Sequence, residues 1–333
     1  MNPKRLTVAV IRGGTSTEHD VSLASGDSIA DAVRHLGHDV VDVLIDRDGA
    51  WRTVDTMGLS AVIGVLQGVD VAIPALHGSR GEDGTVQGLL DCIDVPYVGS
   101  GVLSSATCLD KARTKLVLAA AGLHVAEGVV VRRTDGAAAA ARRLSSAGLA
   151  GRLFVKPLRG GSSIGVGLVA AGDDVEEALA AAFESDDAAL VEAEVVGREV
   201  DVAVLERPDG SVVCGPPLEI HPDPGEAFFT ERAKYGAPGT RFVIPAPLDD
   251  ATTRALESAA VTAFAALGCA GLARVDTFVT PAGIVINEVN TMPGFTAHSQ
   301  FPQMWAAAGM PYPELVATLL SSALTRRRVA CRR

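Results

Sequence analysis

Residues 274–294 read RVDTFVTPAGIVINEVNTMPG. Two runs rich in β-branched residues flank Thr280-Pro281-Ala282-Gly283, the composition of a hairpin turn. A three-residue loop over 281–283 pairs Thr280 with Ile284. Counting outward then sets Asp276 opposite Glu288 and Arg274 opposite Asn290. Strand side chains alternate, so these four share one face. Like charges directly across a ladder are destabilising, and a hard divalent cation converts that repulsion into attraction. Two carboxylates and a carboxamide suit Mg²⁺, which keeps waters and shares substrate phosphates. The competing arrangement is a salt-bridged patch in which Arg274 neutralises both acids, leaving Asn290 and the following bend without a purpose. A one-residue slip would keep Glu288 and Asn290 together but remove Asp276.

If the hairpin holds a cation for a nucleotide, phosphate-binding elements belong elsewhere in the chain. Lys156 ends the apolar run GRLFV, where a buried lysine needs a partner. The glycine-rich stretch Gly160 to Gly165 follows it and offers consecutive backbone N–H groups to an anion. Lys111 opens a helix upstream and adds a second cation. No GxxxxGK[ST] occurs, which excludes a P-loop. RGGTSTEHD follows the first strand where a dinucleotide site needs GxGxxG. That absence and the acid cluster oppose a nucleotide-dependent oxidoreductase. Two lysines, a glycine flap and two acids on antiparallel strands resemble the ATP-grasp arrangement.

Composition is compatible with this. The 333 residues suggest two or three domains. Residues 5–110 alternate strand-like and helix-like segments, the βαβ pattern of an open parallel sheet. The pattern changes at Asp110, and the last part has long antiparallel-looking strands. The expected division is an N-terminal lobe over 1–110, a central lobe with the phosphate flap over 111–196, and a C-terminal lobe over 197–333. The last would carry the metal site, a lid loop and a second-substrate site. A net charge of −11 and a pI near 5.1 argue against nucleic acid as partner. Mean hydropathy is +0.27, yet the uncharged stretch 258–273 is broken by Gly268 and Gly271 and falls short of a membrane span. The apolar run after Lys4-Arg5 is too short for a signal peptide. Five scattered cysteines without CxxC read as reduced thiols of a cytoplasmic protein. The C-terminal arginines, Arg326 to Arg328 and Arg332-Arg333, read as a solvated tail.

Six collinear stretches make the resemblance specific: RGGTSTEHDVSLASG, ALHGSRGEDGTVQGLLDCIDVPYVGSG, CLDKARTK, VKPLRGGSSIGVG, AKYGAPGTRFVIPAPL and RVDTFVTPAGIVINEVNTMPGFTAHS. Together they are similar to the D-alanine–D-alanine ligase family over essentially the whole chain. The resemblance implies a three-lobed α/β ATP-grasp fold and ATP-dependent joining of two D-alanines through an acyl phosphate, for peptidoglycan precursors. It implies ATP with two Mg²⁺ ions, Mn²⁺ as a substitute, a possible assisting monovalent cation, and a homodimer without nucleic-acid or membrane partners. Lys111 and Lys156 would contact phosphates, Glu192 and the backbone through Val195 the adenine, and Glu199 the ribose. Asp276, Glu288 and Asn290 would hold the metals. Glu18 would orient the first ammonium and join Ser162 and Tyr235 in a contact tying the lobes together. His77 would line the first amino-acid site. Arg274 and the Gly294 N–H would stabilise the oxyanion, Lys234 would help hold phosphate, and Ser299 would receive the second carboxylate. Structural alternatives stand beside several of these: Glu18 or Ser299 as helix-start residues, and His77 as a turn histidine. Gly160, Ala297 and Gln300 depart from common family patterns. Gln300 lies beside the subsite that separates D-alanine from D-serine or D-lactate. A non-catalytic ATP-binding sensor is the remaining alternative, opposed by the intact Arg274, Asp276, Glu288 and Asn290.

Overall fold

The computed structural model describes residues 4–223 and 240–330. Lys234, expected to help hold phosphate, and Tyr235, expected to contact Glu18 and Ser162, lie outside the described residues. The first sheet centres on β1 (Thr7–Gly13), paired in parallel with β2 (Asp39–Ile45) and with β4 (Val71–Pro74). The short antiparallel edge β3 (Trp51–Arg52) completes the order β3-β2-β1-β4. Val8 to Ile11 are fully buried, as expected of a strand covered on both faces. Helices α1 (His19–His35), α2 (Leu59–Leu66) and α3 (Thr85–Cys92) make the crossovers. Gly13, at the end of β1, has φ +90° and a Cβ there would lie 2.2 Å from the Ile45 carbonyl oxygen; only glycine lets β1 turn so close to β2. The stretch VPYVGS contributes a single parallel bridge from Tyr97 to Ala72. Its proline and glycine, Pro96 and Gly99, leave too few ladder positions to extend that bridge.

Two short helices, α4 (Val102–Leu109) and α5 (Lys111–Ala120), connect to the middle of the chain. Asp110 caps α5 by accepting the Arg113 N–H at 3.0 Å, which fixes Lys111 at the first helical position. After β5 (His124–Val125) comes an antiparallel sheet of β6 (Gly128–Arg132), β7 (Leu153–Pro157), β8 (Gly167–Val169) and β9 (Ala188–Ala193), ordered β6-β9-β7-β8. It is backed by α6 (Ala137–Ser146) and α7 (Glu176–Phe183).

The remaining strands are β10 (Arg198–Glu206), β11 (Val212–Cys214), β12 (Leu218–His221), β13 (Arg241–Val243), β14 (Leu272–Thr280) and β15 (Gly283–Asn290). They form a sheet ordered β13-β12-β10-β14-β15-β5, with β11 beside β10. Helix α8 (Asp250–Ala266) covers one face, and α9 (Gln300–Ala307) and α10 (Tyr312–Ala330) close the chain. Among the described residues no helix is long and apolar enough to cross a membrane.

The quoted hairpin forms with the expected pairs Arg274–Asn290 and Asp276–Glu288. Its tip differs: Thr280 pairs with Gly283 and Val279 with Ile284, so the loop is Pro281-Ala282 alone. A bulge restores the count. Thr277 pairs with Ile286 and Asp276 with Glu288, which leaves Asn287 as the extra residue. Without it Glu288 would turn away from the face carrying Asp276.

One hydrophobic core joins the first sheet to the last through α1, α9 and α10, with Ile29, Leu205, Phe301, Trp305 and Leu315 at its centre. The middle sheet has its own smaller core around Val155, Leu179 and Val191. Arg326, expected in a solvated tail, instead ion-pairs with Glu206 at 2.8 Å and donates to the carbonyls of Tyr97 and Gly99. Those carbonyls sit at the poorly paired VPYVGS segment and need a donor.

Candidate active site

The site is built on a row of carboxylates. Asp201 on β10 pairs with Asp276 on β14, which pairs with Glu288 on β15. Three acids thus stand side by side across three neighbouring strands, and Asp201 and Asp276 are almost fully buried. Arg274, two residues from Asp276 on the same face, grips both Asp276 oxygens at 2.6 and 2.7 Å and reaches Asp201 at 3.4 Å. Burial opposes its charge, but the Asp276 carboxylate outweighs that and raises the guanidinium pKa. Asn290 donates to Asp276 at 3.0 Å, and Lys111 lies 3.7 Å from Glu288. Arg274 therefore pairs mainly with Asp276, with weaker attraction to Asp201 and Glu288. Asp201 escaped the sequence reading because only the β10–β14 register brings it there.

Opposite the row lies a buried cation cluster. Glu192 on β9 ion-pairs with Lys156 of β7 and with Lys115 of α5, the latter at 2.9 Å. Lys156 also donates to Asn287, the bulge residue, at 3.1 Å. Burial disfavours the Lys156 charge, yet the adjacent Glu192 raises its pKa overall. Burial would raise the Glu192 carboxyl, but Lys156 and Lys115 hold it below its ordinary value. Lys115 and Asn287 are further residues that sequence reasoning passed over. The amphipathic spacing from Lys111 to Lys115 on one helix was the available signal for the first. Lys111 donates to the Gly160 carbonyl and so anchors the flap base.

All of these except Lys115 and Asn290 line a cavity of about 560 Å³ between the middle and last sheets, together with Val195, Glu199 and the flap Gly160 to Ile164. A second cavity of about 760 Å³ is lined by Glu18, His77, Asn290, Gly294, Ser299 and Gln300. Gly161, Ser162, Ile164, Arg274 and Glu288 line both cavities, so the two meet at the flap and the hairpin.

Glu18 precedes α1 but makes no side-chain cap; its carboxylate accepts from the Ser162 hydroxyl across the lobes. A Cβ on Gly161 would fall 2.7 Å from a Glu18 oxygen, so a side chain there would displace this contact. Ser162 and Ser163 hold φ values of 50° and 59°, a conformation rare for residues with a Cβ and common at functional sites. Ser299 likewise makes no helix cap; its hydroxyl accepts from the Thr296 N–H at 3.1 Å. Gln300 donates to Asp201 at 3.0 Å, which ties the second cavity to the acid row. Glu82, also unselected by sequence, lines the second cavity half-buried and accepts from Gly78 and Met292 N–H at 2.8 and 3.1 Å.

A nucleotide-sized cleft between two largely antiparallel sheets, walled by lysines on one and acids on the other, defines an ATP-grasp enzyme. A D-ala D-ala ligase C-terminus model matches residues 117–321, and a D-ala D-ala ligase N-terminus model matches 7–62 and 58–100. The chain is 43% identical to a D-alanine–D-alanine ligase of Corynebacterium aurimucosum, over 97% of this chain and 99% of that one. It is 40% identical to that of Mycolicibacterium smegmatis, over 97% of each. Among solved structures, the D-alanine–D-alanine ligase of Coxiella burnetii matches with a TM-score of 0.84 and 30% identity, covering 99% of this chain and 97% of that one. The VanG D-Ala:D-Ser ligase of Enterococcus faecalis matches with a TM-score of 0.84 and 33% identity, covering 96% and 100%. The chain belongs to the D-alanine–D-alanine ligase family, which is ATP-dependent.

Proposed function

We propose that this chain joins two D-alanine molecules at the expense of ATP, with nucleotide in the first cavity and amino acids in the second. The observation that carries the reading is the common wall of the cavities: the γ-phosphate and the first carboxylate would meet at Ser162, Arg274 and Glu288. Lys111 and Lys156 would hold phosphates. Val195 and neighbouring backbone would hold the adenine and Glu199 the ribose. The carboxylate of Glu192 is engaged by two lysines, so its part there is to hold Lys156 in place.

The acid row fits a divalent cation. Among the described residues no group of three or more His, Cys, Asp and Glu is arranged to hold a metal ion by itself. Asp276, Glu288 and Asn290 supply a partial oxygen set of the kind Mg²⁺ completes with phosphates and water. These residues would hold two Mg²⁺ ions, with Mn²⁺ as a substitute; bound there, they would neutralise charge on the transferring phosphoryl group. Arg274 donates to both Asp276 oxygens, so a metal there would share those oxygens with it. A monovalent cation remains part of the proposal without a named site.

A carboxylate is a poor acyl donor until phosphorylated. Glu18 would fix the first ammonium and thereby aim the carboxylate at the γ-phosphate. Ser299 would seat the second carboxylate, with Gln300 beside it. Attack by the second amine on the acyl phosphate develops negative charge on oxygen, which Arg274 and the Gly294 N–H would receive. The Ser162 flap, with Lys234 and Tyr235 from the lid, would keep water from the acyl phosphate. A cytoplasmic homodimer completes the proposal; the exposed Leu103 and Leu116 offer apolar surface for it.

The test is ADP release coupled to product analysis, with D-alanine, D-serine and D-lactate supplied together. D-alanyl-D-alanine as main product supports the reading, and Asp276→Asn should reduce turnover at least about 100-fold, as for other essential electrostatic groups. ADP release independent of any D-amino acid, or near-normal Asp276→Asn turnover, would refute it.

A further inference from the structure

The segment Met292 to Phe295 contains Gly294, yet its backbone is held largely by side chains of the first lobe. Met292 is gripped on both sides: its N–H donates to Glu82 and its carbonyl accepts from His77 Nδ1 at 3.0 Å. Because a carbonyl can only accept, Nδ1 carries the proton. His77 Nε2 lies 3.1 Å from the Ser25 hydroxyl, and Ser25 accepts the Phe295 N–H at 3.2 Å. With Nδ1 protonated in a neutral ring, Nε2 must accept, so Ser25 donates to it. The directions close into a circuit: Phe295 N–H to Ser25, Ser25 to His77, His77 to the Met292 carbonyl. Ser25 is fully buried and His77 nearly so, and burial lowers the pKa of His77, consistent with a neutral ring.

We infer that Ser25, His77 and Glu82 are positioning residues that aim the Gly294 N–H, so that the lobe receiving the first amino acid sets the oxyanion site of the last lobe. The inference rests on the proposed role of Gly294. It gives His77 a task that uses both ring nitrogens and leaves neither for proton transfer with substrate. It also joins the α1 helix to the chemistry twice, through Glu18 at its start and through Ser25 two turns later.

Ser25→Ala breaks the circuit without touching substrate. A misaimed donor should slow amide formation by about tenfold, short of the 100-fold or more seen when such a donor is deleted. Affinity for a tetrahedral phosphinate dipeptide analogue should fall by a similar factor. Acyl phosphate formation, read by positional isotope exchange in ATP, and the KM for ATP should change by less than about twofold, because ground-state binding is untouched. Equal losses in both half-reactions, or no loss in either, would overturn the inference. If the variant does not fold, the ¹⁵N shifts of His77 in the wild-type protein decide. A neutral Nδ1–H ring is expected at pH 6, where an ordinary histidine with pKa about 6.5 is mostly charged; an Nε2–H tautomer or an imidazolium would sink the circuit. That spectrum holds even if the wild type ligates nothing, an outcome that would refute the proposed function instead.

Discussion

Glu82 shows what burial does to a single carboxyl. Removal from water and, secondarily, the nearby Glu18 push its pKa from 4.5 up to about 8, against the pull of two backbone N–H donors. Between those values the folded protein keeps a proton that the unfolded chain has lost. Stability from this group is therefore fully present below pH 4.5 and declines as pH rises towards 8. His77 acts with the opposite sign. Its pKa is depressed, so it favours the unfolded chain only as pH falls below the ordinary histidine value. Replacing Glu82 by Gln should flatten the decline between pH 5 and 8 in urea-unfolding midpoints. Parallel curves for variant and parent would show that Glu82 is ionised throughout.

At the scale of the element, the hairpin carries its acids through a compensation. A two-residue tip alone would place Glu288 on the core face, and the bulge at Asn287 brings it back beside Asp276. Removing Asn287 altogether should leave a regular ladder with both acids still on the cleft side. The deletion should thus behave like Asn287→Ala: folded, active, and with a several-fold higher KM for ATP from loss of the Lys156 contact. Circular dichroism and initial rates would check this, and a deletion that unfolds or loses turnover far beyond the alanine variant contradicts the phase argument. The pairing of Asp276 with Glu288 was legible because alternation of apolar and polar residues fixes a face. The bulge was not, since one extra residue leaves no mark in that alternation. Asp201 was equally hidden: it looks like an ordinary polar residue until strand pairing brings it to the others, whereas Lys115 left only its helical spacing from Lys111.

For the whole molecule, the α/β order, the antiparallel later sheets and the flap could be read from periodicity and glycine placement. How the first and last sheets share a core could not, because a core that gathers residues as distant in sequence as Ile29 and Leu315 has no local signature. Arg326 is the plainest case. An arginine in a basic terminal run looks solvated, yet this one ties α10 to Glu206 and to the Tyr97–Gly99 backbone. Arg326→Ala should lower stability by about 1–2 kcal/mol, the scale of a charged hydrogen bond set that keeps some solvent access. Differential scanning calorimetry would show this as a Tm lower by a few degrees, and an unchanged Tm would return the residue to the tail. The wall shared by the two cavities has a chemical corollary. A single inhibitor carrying an adenine-like head and a D-amino-acid-like foot could thread past Ser162 and Glu288 without leaving protein. Its tether would make the second contact intramolecular, so two weak fragments would bind far more tightly joined than apart.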